Sequence, residues 1–120
     1  MFAKSSNSFE EEIDGAIFKN YMLNSKNLDM VVVSIDGRYP SAGSRANMKN
    51  TFGCYVLKGT GEVTIKGKTF EIKKEDVFII EPKKEFHIVG KQLKLLMSCT
   101  PAYSESHSVS VIIKNKKEKK

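Results

Sequence analysis

Between Phe52 and His87 the chain carries four short β-rich runs, Cys54–Leu57, Glu62–Ile65, Thr69–Ile72 and Val77–Ile80, punctuated by Gly59, Gly61, Gly67 and Pro82. No other feature limits the fold as tightly. Glycine takes the positive φ of a tight hairpin at no steric cost, and proline cannot donate to a central ladder. Runs this close together leave no room for crossover helices, so they pair antiparallel. The expected product is an all-β meander that closes on itself or on a second sheet.

Runs on either side extend this pattern. Ile13–Met22, Leu28–Ile35, Lys91–Thr100 and His107–Ile113 read as strands, and Pro101 stops the third of them. Met30-Val-Val-Val-Ser-Ile is apolar at consecutive positions, as expected of a strand covered on both faces, inside a sandwich or at a subunit contact. Lys91–Thr100 turns either Leu93, Leu95, Met97 and Cys99 or the opposite parity inward. Ser8-Phe-Glu-Glu reads as a capped helical turn, with Glu11 reaching back to Ser8. The expected organisation is an N-terminal arm (1–12), one β-barrel domain (13–113) and a disordered basic tail (114–120).

Gly37 to Thr51 is the longest irregular stretch, marked as loop by its Gly, Pro, Ser and Asn content. Both arginines of the protein, Arg38 and Arg45, lie here, with Tyr39 and Asn47 beside them. A guanidinium fork matches carboxylate or phosphate with two prongs, which lysine cannot do. The pair reads either as two solvated side chains sharing a loop or as a clamp for an acidic ligand.

Length and charge exclude other classes. A chain of 120 residues has room for one domain. No run approaches the roughly 20 apolar residues of a membrane span, and the N-terminus has no apolar signal region; both point to the cytoplasm. The net charge is +6, but Lys114–Lys120 holds five lysines and one glutamate, so four of those charges sit in the tail. The remainder is Lys and Glu interleaved along strands, a solvated surface without the stacking aromatics of a nucleic-acid site. Cys54 and Cys99 read as packed thiols rather than a bridge.

Tyr55-Val-Leu-Lys-Gly-Thr-Gly-Glu-Val63, followed by Asp76-Val-Phe-Ile-Ile-Glu-Pro82 and His87, resembles the core of a small single-domain cupin. It is similar to the barrels described as mannose-6-phosphate-isomerase-like. The resemblance implies a double-stranded β-helix, a jelly-roll barrel, commonly paired as a homodimer and often carrying a metal held by three histidines and a glutamate. Gly59 fits the closing glycine of the first motif, which puts Phe52 in the glutamate's place. The paired histidines would then fall at Ala46 and Met48, or at Arg45 and Asn47. In the second motif Pro82 and His87 are kept, and Lys84 stands where a glycine belongs. His87 is thus the one matching ligand position, and no metal is expected; the alternative is Zn, Mn, Fe or Ni on substituted ligands.

With Phe52 turned inward, Cys54 and Val56 share its face, and Val63, Ile65, Phe70 and Ile72 are the expected inward neighbours. His87 in such a cavity would serve as general acid–base or as a hydrogen-bond anchor, or else as a satisfied core residue. Cys54, Cys99 and His87 would form a soft metal site if all three pointed inward. Three functions follow. The first is a metal-free cupin binding a small polar, sugar-like or anionic molecule through Arg38, Tyr39, Arg45, Asn47 and Cys54. The second is a sugar isomerase or epimerase using His87, with or without a metal. The third is a dimeric scaffold.

Overall fold

The computed structural model describes residues 2–21 and 23–104, and the backbone of 108–110. After a 3-10 turn at Ser5–Asn7 come nine strands: β1 (Phe9–Ile13), β2 (Ala16–Asn20), β3 (Asp29–Tyr39), β4 (Arg45–Asn47), β5 (Thr51–Ile65), β6 (Lys68–Lys73), β7 (Val77–Ile80), β8 (Phe86–Thr100) and β9 (Ser108–Ser110). Every pairing is antiparallel.

Two strands of 15 residues, β5 and β8, organise the rest. The first half of β5 pairs with β7 and with the second half of β8; its second half pairs with β6 and the first half of β8. The sheet therefore folds over itself into two walls. One wall runs β1-β2-β3-β8-β5-β7, and the other is built on β9, β4, β8, β5 and β6. This is a jelly-roll β-barrel. Between the walls lie Val33, Ile35, Val56, Val63, Ile80, Ile88, Leu93 and Leu95, each almost fully buried. Each such side chain contributes about 1.5–3 kcal/mol of hydrophobic stabilisation.

Several local expectations change. Cys54–Leu57 and Glu62–Ile65 are not separate strands: β5 runs unbroken through Gly59 and Gly61, with register shifts against β8 between Val56 and Thr60. Gly59 serves the bend of a long strand rather than a hairpin. It has φ +81°, and a Cβ there would lie 2.1 Å from the Gln92 carbonyl oxygen. The stretch from Ile13 to Asn20 is likewise two elements, β1 and β2, joined at Asp14-Gly15, both with positive φ. That is the two-residue hairpin geometry Asp-Gly favours. The expected turn at Ser8–Glu11 lies largely in β1, so the sheet begins inside the stretch read as an arm; Ser8 Oγ instead donates to the Ser5 carbonyl. Met22, residues 105–107, and 111–120, including the basic tail, lie outside the described residues.

The parity of β8 resolves in favour of Leu93, Leu95, Met97 and Cys99, all buried. Phe52, Cys54, Val56, Val63 and Ile72 are core as expected, and Ile65 packs against it. Phe70 departs from its group. It shares a face with Ile72 but is 51% exposed, because the β5–β6 hairpin reaches beyond β7 and leaves a groove lined by Val63, Ile65, Phe70, Ile72 and Phe78.

Gly59→Ala places a side chain against backbone at a left-handed position, and is expected to cost about 2–4 kcal/mol, a Tm fall of roughly 10 °C or more. Gly67→Ala, at the same φ but with open space around its Cβ, costs about 1 kcal/mol. Thermal unfolding of the two variants compares them. Equal losses would show that the close approach at Gln92 does not set the bend.

Candidate functional site

The β1–β2 turn, the end of β3 and strand β4 converge at one end of the barrel. Paired residues of neighbouring strands point to the same face, so register places each side chain. Tyr39 pairs with Ile88 and Arg45 with Phe86, and both of those β8 residues are core. Tyr39 and Arg45 therefore face inward. Asn47, two residues on from Arg45, shares its face, and Ala46 faces away.

Arg45 holds this cluster together. Its Nη2 donates to Asp14 Oδ2 at 3.0 Å, and its guanidinium carbon stands 5.5 Å from the centroid of the Tyr39 ring. The Arg45 side chain is 22% exposed, so one edge of the cation reaches solvent while the stem is enclosed. A cation over an aromatic face at this range gains about 0.5–2 kcal/mol, more as water is excluded. Tyr39 packs edge-on against Phe18 at 5.5 Å and lies 6.4 Å from Phe86, which meets Phe52 at 6.3 Å. The result is a run of four rings, Phe18, Tyr39, Phe86 and Phe52, with the guanidinium over Tyr39.

Asp14 anchors the cation from the turn. Its Oδ1 accepts from both the backbone N–H and the hydroxyl of Ser41. The Ser41 hydroxyl does most to hold its carboxyl below the usual range; Arg45 adds to this, and partial burial opposes it. Burial drives the Tyr39 phenol up to about 12 against the opposing charge of Arg45, so at neutral pH it is a hydrogen-bonding group and not a base.

Asn47 is buried at 4% exposure and half satisfied. Its Oδ1 accepts from the backbone N–H groups of Lys49 (3.1 Å) and Asn50 (2.8 Å), and its carbonyl accepts from Lys83 N–H. Its Nδ2 has no acceptor among the described residues. A buried donor left unmatched costs about 1–3 kcal/mol, which an acceptor atom brought by a ligand or water recovers. Of the two spacings for the family's histidine pair, Arg45 and Asn47 is the inward one; Met48 is exposed. Phe52 occupies the inward glutamate position as expected.

The other candidates stand elsewhere. His87 lies between Phe86 and Ile88, both core, so its imidazole points to the outer face of β8 and is not in the cavity. Phe86, one residue earlier, takes the inward place instead. Arg38, paired with Val89, is on the same outer face, and its Nη1 donates to the Pro40 carbonyl at 2.8 Å. Partial burial first, and then the charge of Arg38, lower the His87 pKa, so it is neutral at pH 7. The soft metal site is thereby undone, since His87 faces away from both thiols. Cys54 and Cys99 are free and buried, and burial pushes each up to about 12. Cys54 is a core residue rather than a contact for ligand.

Inward donors for a metal of the family type would have to come from Arg45, Asn47, Phe52 and Phe86. One cation, one amide and two phenyl rings do not fit a divalent ion. Among the described residues no three His, Cys, Asp or Glu side chains are grouped to hold one.

Comparison with known proteins extends these observations. No family model matches the chain, and neither does any curated protein. Solved structures do. Pac13, a nucleoside dehydratase of Streptomyces, superposes with TM-score 0.86 at 17% identity, over 93% of this chain and 91% of its own. An RmlC-like cupin from Shewanella frigidimarina gives 0.72 at 19% identity, covering 88% and 94%. KdgF from Halomonas gives 0.73 at 17% identity, covering 88% and 97%. At such identities the likeness speaks for the fold, and the fold is that of a cupin.

Proposed function

We propose that this protein is a cupin-fold binder of a small anionic or strongly polar molecule, held at the barrel mouth by Arg45 and Asn47 without a resident metal. One observation carries the reading. Strand β4 turns a cation and a buried amide with an unmatched Nδ2 donor to the same inward face, where the family pattern puts its paired histidines. The rings of Tyr39 and Phe86 form an apolar floor that suits a flat ligand body, and Asp14 keeps the cation in place. Fold neighbours bear on this as analogy. Pac13 variants were solved with uridine, itself a small polar molecule.

An enzyme that uses His87 is the second reading, and the geometry works against it. A ligand at Arg45 and the imidazole of His87 lie on opposite sides of β8. A mannose-6-phosphate-isomerase-like activity would have to draw its acid–base group from elsewhere.

A thermal-shift panel of sugar phosphates, sugar acids, uridine and uridine phosphate tests binding. A stabilising ligand is expected to lose roughly 10–100-fold in affinity in Arg45→Ala, the worth of one charge-assisted contact. Arg45→Lys is expected to recover little of it. Asn47→Asp keeps the oxygen that accepts from Lys49 and Asn50 but removes the Nδ2 donor, so it weakens an anion while sparing the turn. Unchanged affinity in both Arg45→Ala and Asn47→Asp would sink the assignment.

The pH dependence separates the two readings. Asp14 titrates below the usual carboxylate range, so it stays ionised as pH falls from 7.5 to about 5. Affinity for a sugar acid is therefore expected to be flat over that interval. An inflection below the ordinary histidine value of 6.5 that vanishes in His87→Gln would instead favour the enzyme.

A further inference from the structure

The two edges of the first wall are defended differently. At one edge β1 carries Glu10, Glu11 and Glu12 in succession, all exposed. At the other, β7 reads Val77-Phe-Ile-Ile80, with no charge and no proline along its length, and its register with β5 has no bulge. Among the described residues β7 pairs with β5 alone, so one row of its backbone N–H and C=O groups has no strand beside it. Native proteins ordinarily guard such a row with charge, proline or a bulge, because it is a template for another strand. A bare apolar edge is a place where an extended peptide is added.

The surroundings say which peptide. Beside β7 lies the groove over Val63, Ile65, Phe70, Ile72 and Phe78, about 640 Å³ in volume. Phe78 pairs with Cys54 and Ile80 with Phe52, so these two turn toward the barrel, while Val77 and Ile79 turn outward, 71% and 62% exposed. A strand laid along β7 sets alternate side chains over the groove and beside Val77 and Ile79, with apolar neighbours on both faces. Every charged residue lining the groove is acidic: Glu71 on β6, and Glu75 and Asp76 in the turn that leads into β7. Neither Glu71 nor Glu75 is paired with a cation among the described residues, and Asp76 Oδ2 accepts the Lys73 backbone N–H at 2.8 Å. Lys73 and Lys74 precede this turn in sequence but do not line the groove. The acidic end therefore lies at the start of β7.

We propose that the free edge of β7 and this groove together dock an extended segment of a partner protein, a short β-forming run that ends in lysine or arginine. The segment pairs with β7 antiparallel, as every other pair in the sheet does, and its side chains cover Phe70 and Phe78. Its basic C-terminal end then meets Glu75, Asp76 and Glu71, which selects it over an acidic or uncharged run of the same shape. The groove shares no residue with the cluster around Arg45.

Fluorescence anisotropy tests this with the full chain and a labelled, amidated hexapeptide, Thr-Val-Thr-Val-Lys-Lys. Saturable binding is expected, with a Kd of roughly 1–100 µM. The same peptide ending in Glu-Glu is expected to bind at least about 10-fold more weakly. Two Lys-Lys peptides, N-methylated at odd or at even residues, are expected to differ, since only one set of amides faces β7. Glu75→Lys and Phe70→Ser are each expected to raise Kd at least about 10-fold, and a wild-type melting curve for Glu75→Lys assigns its loss to binding. Glu12→Lys, on the charged β1 edge, is expected to leave Kd unchanged. A chain that does not bind the peptide at about 1 mM would overturn the proposal. So would equal affinity for the Lys-Lys and Glu-Glu peptides or for the two methylated ones, or indifference to both Glu75→Lys and Phe70→Ser. Binding that tightens about tenfold when the chain is cut after Ser110 would overturn it too, by giving the edge to the protein's own lysine tail.

Discussion

The pairing of β5 with β8 is the constraint on which the molecule rests. Each strand is long enough to serve both walls, and the two stay hydrogen-bonded while bending together. That is possible because Gly59 and Gly61 let backbone pass within van der Waals range of Gln92 and Val89, where a Cβ would collide. Once the pair is bent, the other strands have little choice of position. β6 and β7 close one side against β5, and β3 and β4 close the other against β8. The core fills the space the bend encloses.

The start of β8 pairs with the end of β3 and with β4, so that Phe86, Tyr39 and Arg45 meet. Arg45 is not left as a buried charge. It has Asp14 at one end and an aromatic face beneath, and keeps part of its surface in water, which avoids most of the desolvation penalty of a fully enclosed ion pair. The tuning is mutual: the carboxylate is kept ionised by Ser41 and Arg45, and the phenol is kept protonated by burial. Such an arrangement holds a fixed positive edge over an apolar floor and lacks a group poised to exchange protons near neutrality.

Much of the fold was legible because alternation is a strong signal when one face is dry. Once the motif match set Phe52 inward, alternation placed Cys54 and Val56 beside it correctly, and the punctuated runs placed the antiparallel meander. The errors have physical sources too. A one-residue difference in register reverses every side chain after it, and the motif match put His87 in the inward place that Phe86 holds. The glycines in β5 look the same in sequence whether they make a hairpin or a bend. Phe70 is apolar at an inward position, yet only the length of the hairpin decides whether anything covers it. Asp14 escaped attention although Asp-Gly is a clear hairpin signal, because its contact with Arg45 spans 31 positions and no local pattern announces it. The choice between Ala46 with Met48 and Arg45 with Asn47 was likewise open until register against β8 settled it.

Cys54 and Cys99 sit on the adjacent strands that define the bend, sealed within the core, with pKa values pushed up to about 12. At neutral pH both are thiols, and both are shielded from a reagent by the core. Alkylation or oxidation must wait until the two long strands part. The cysteines are thus a built-in clock, and their labelling rate counts how often the barrel comes open.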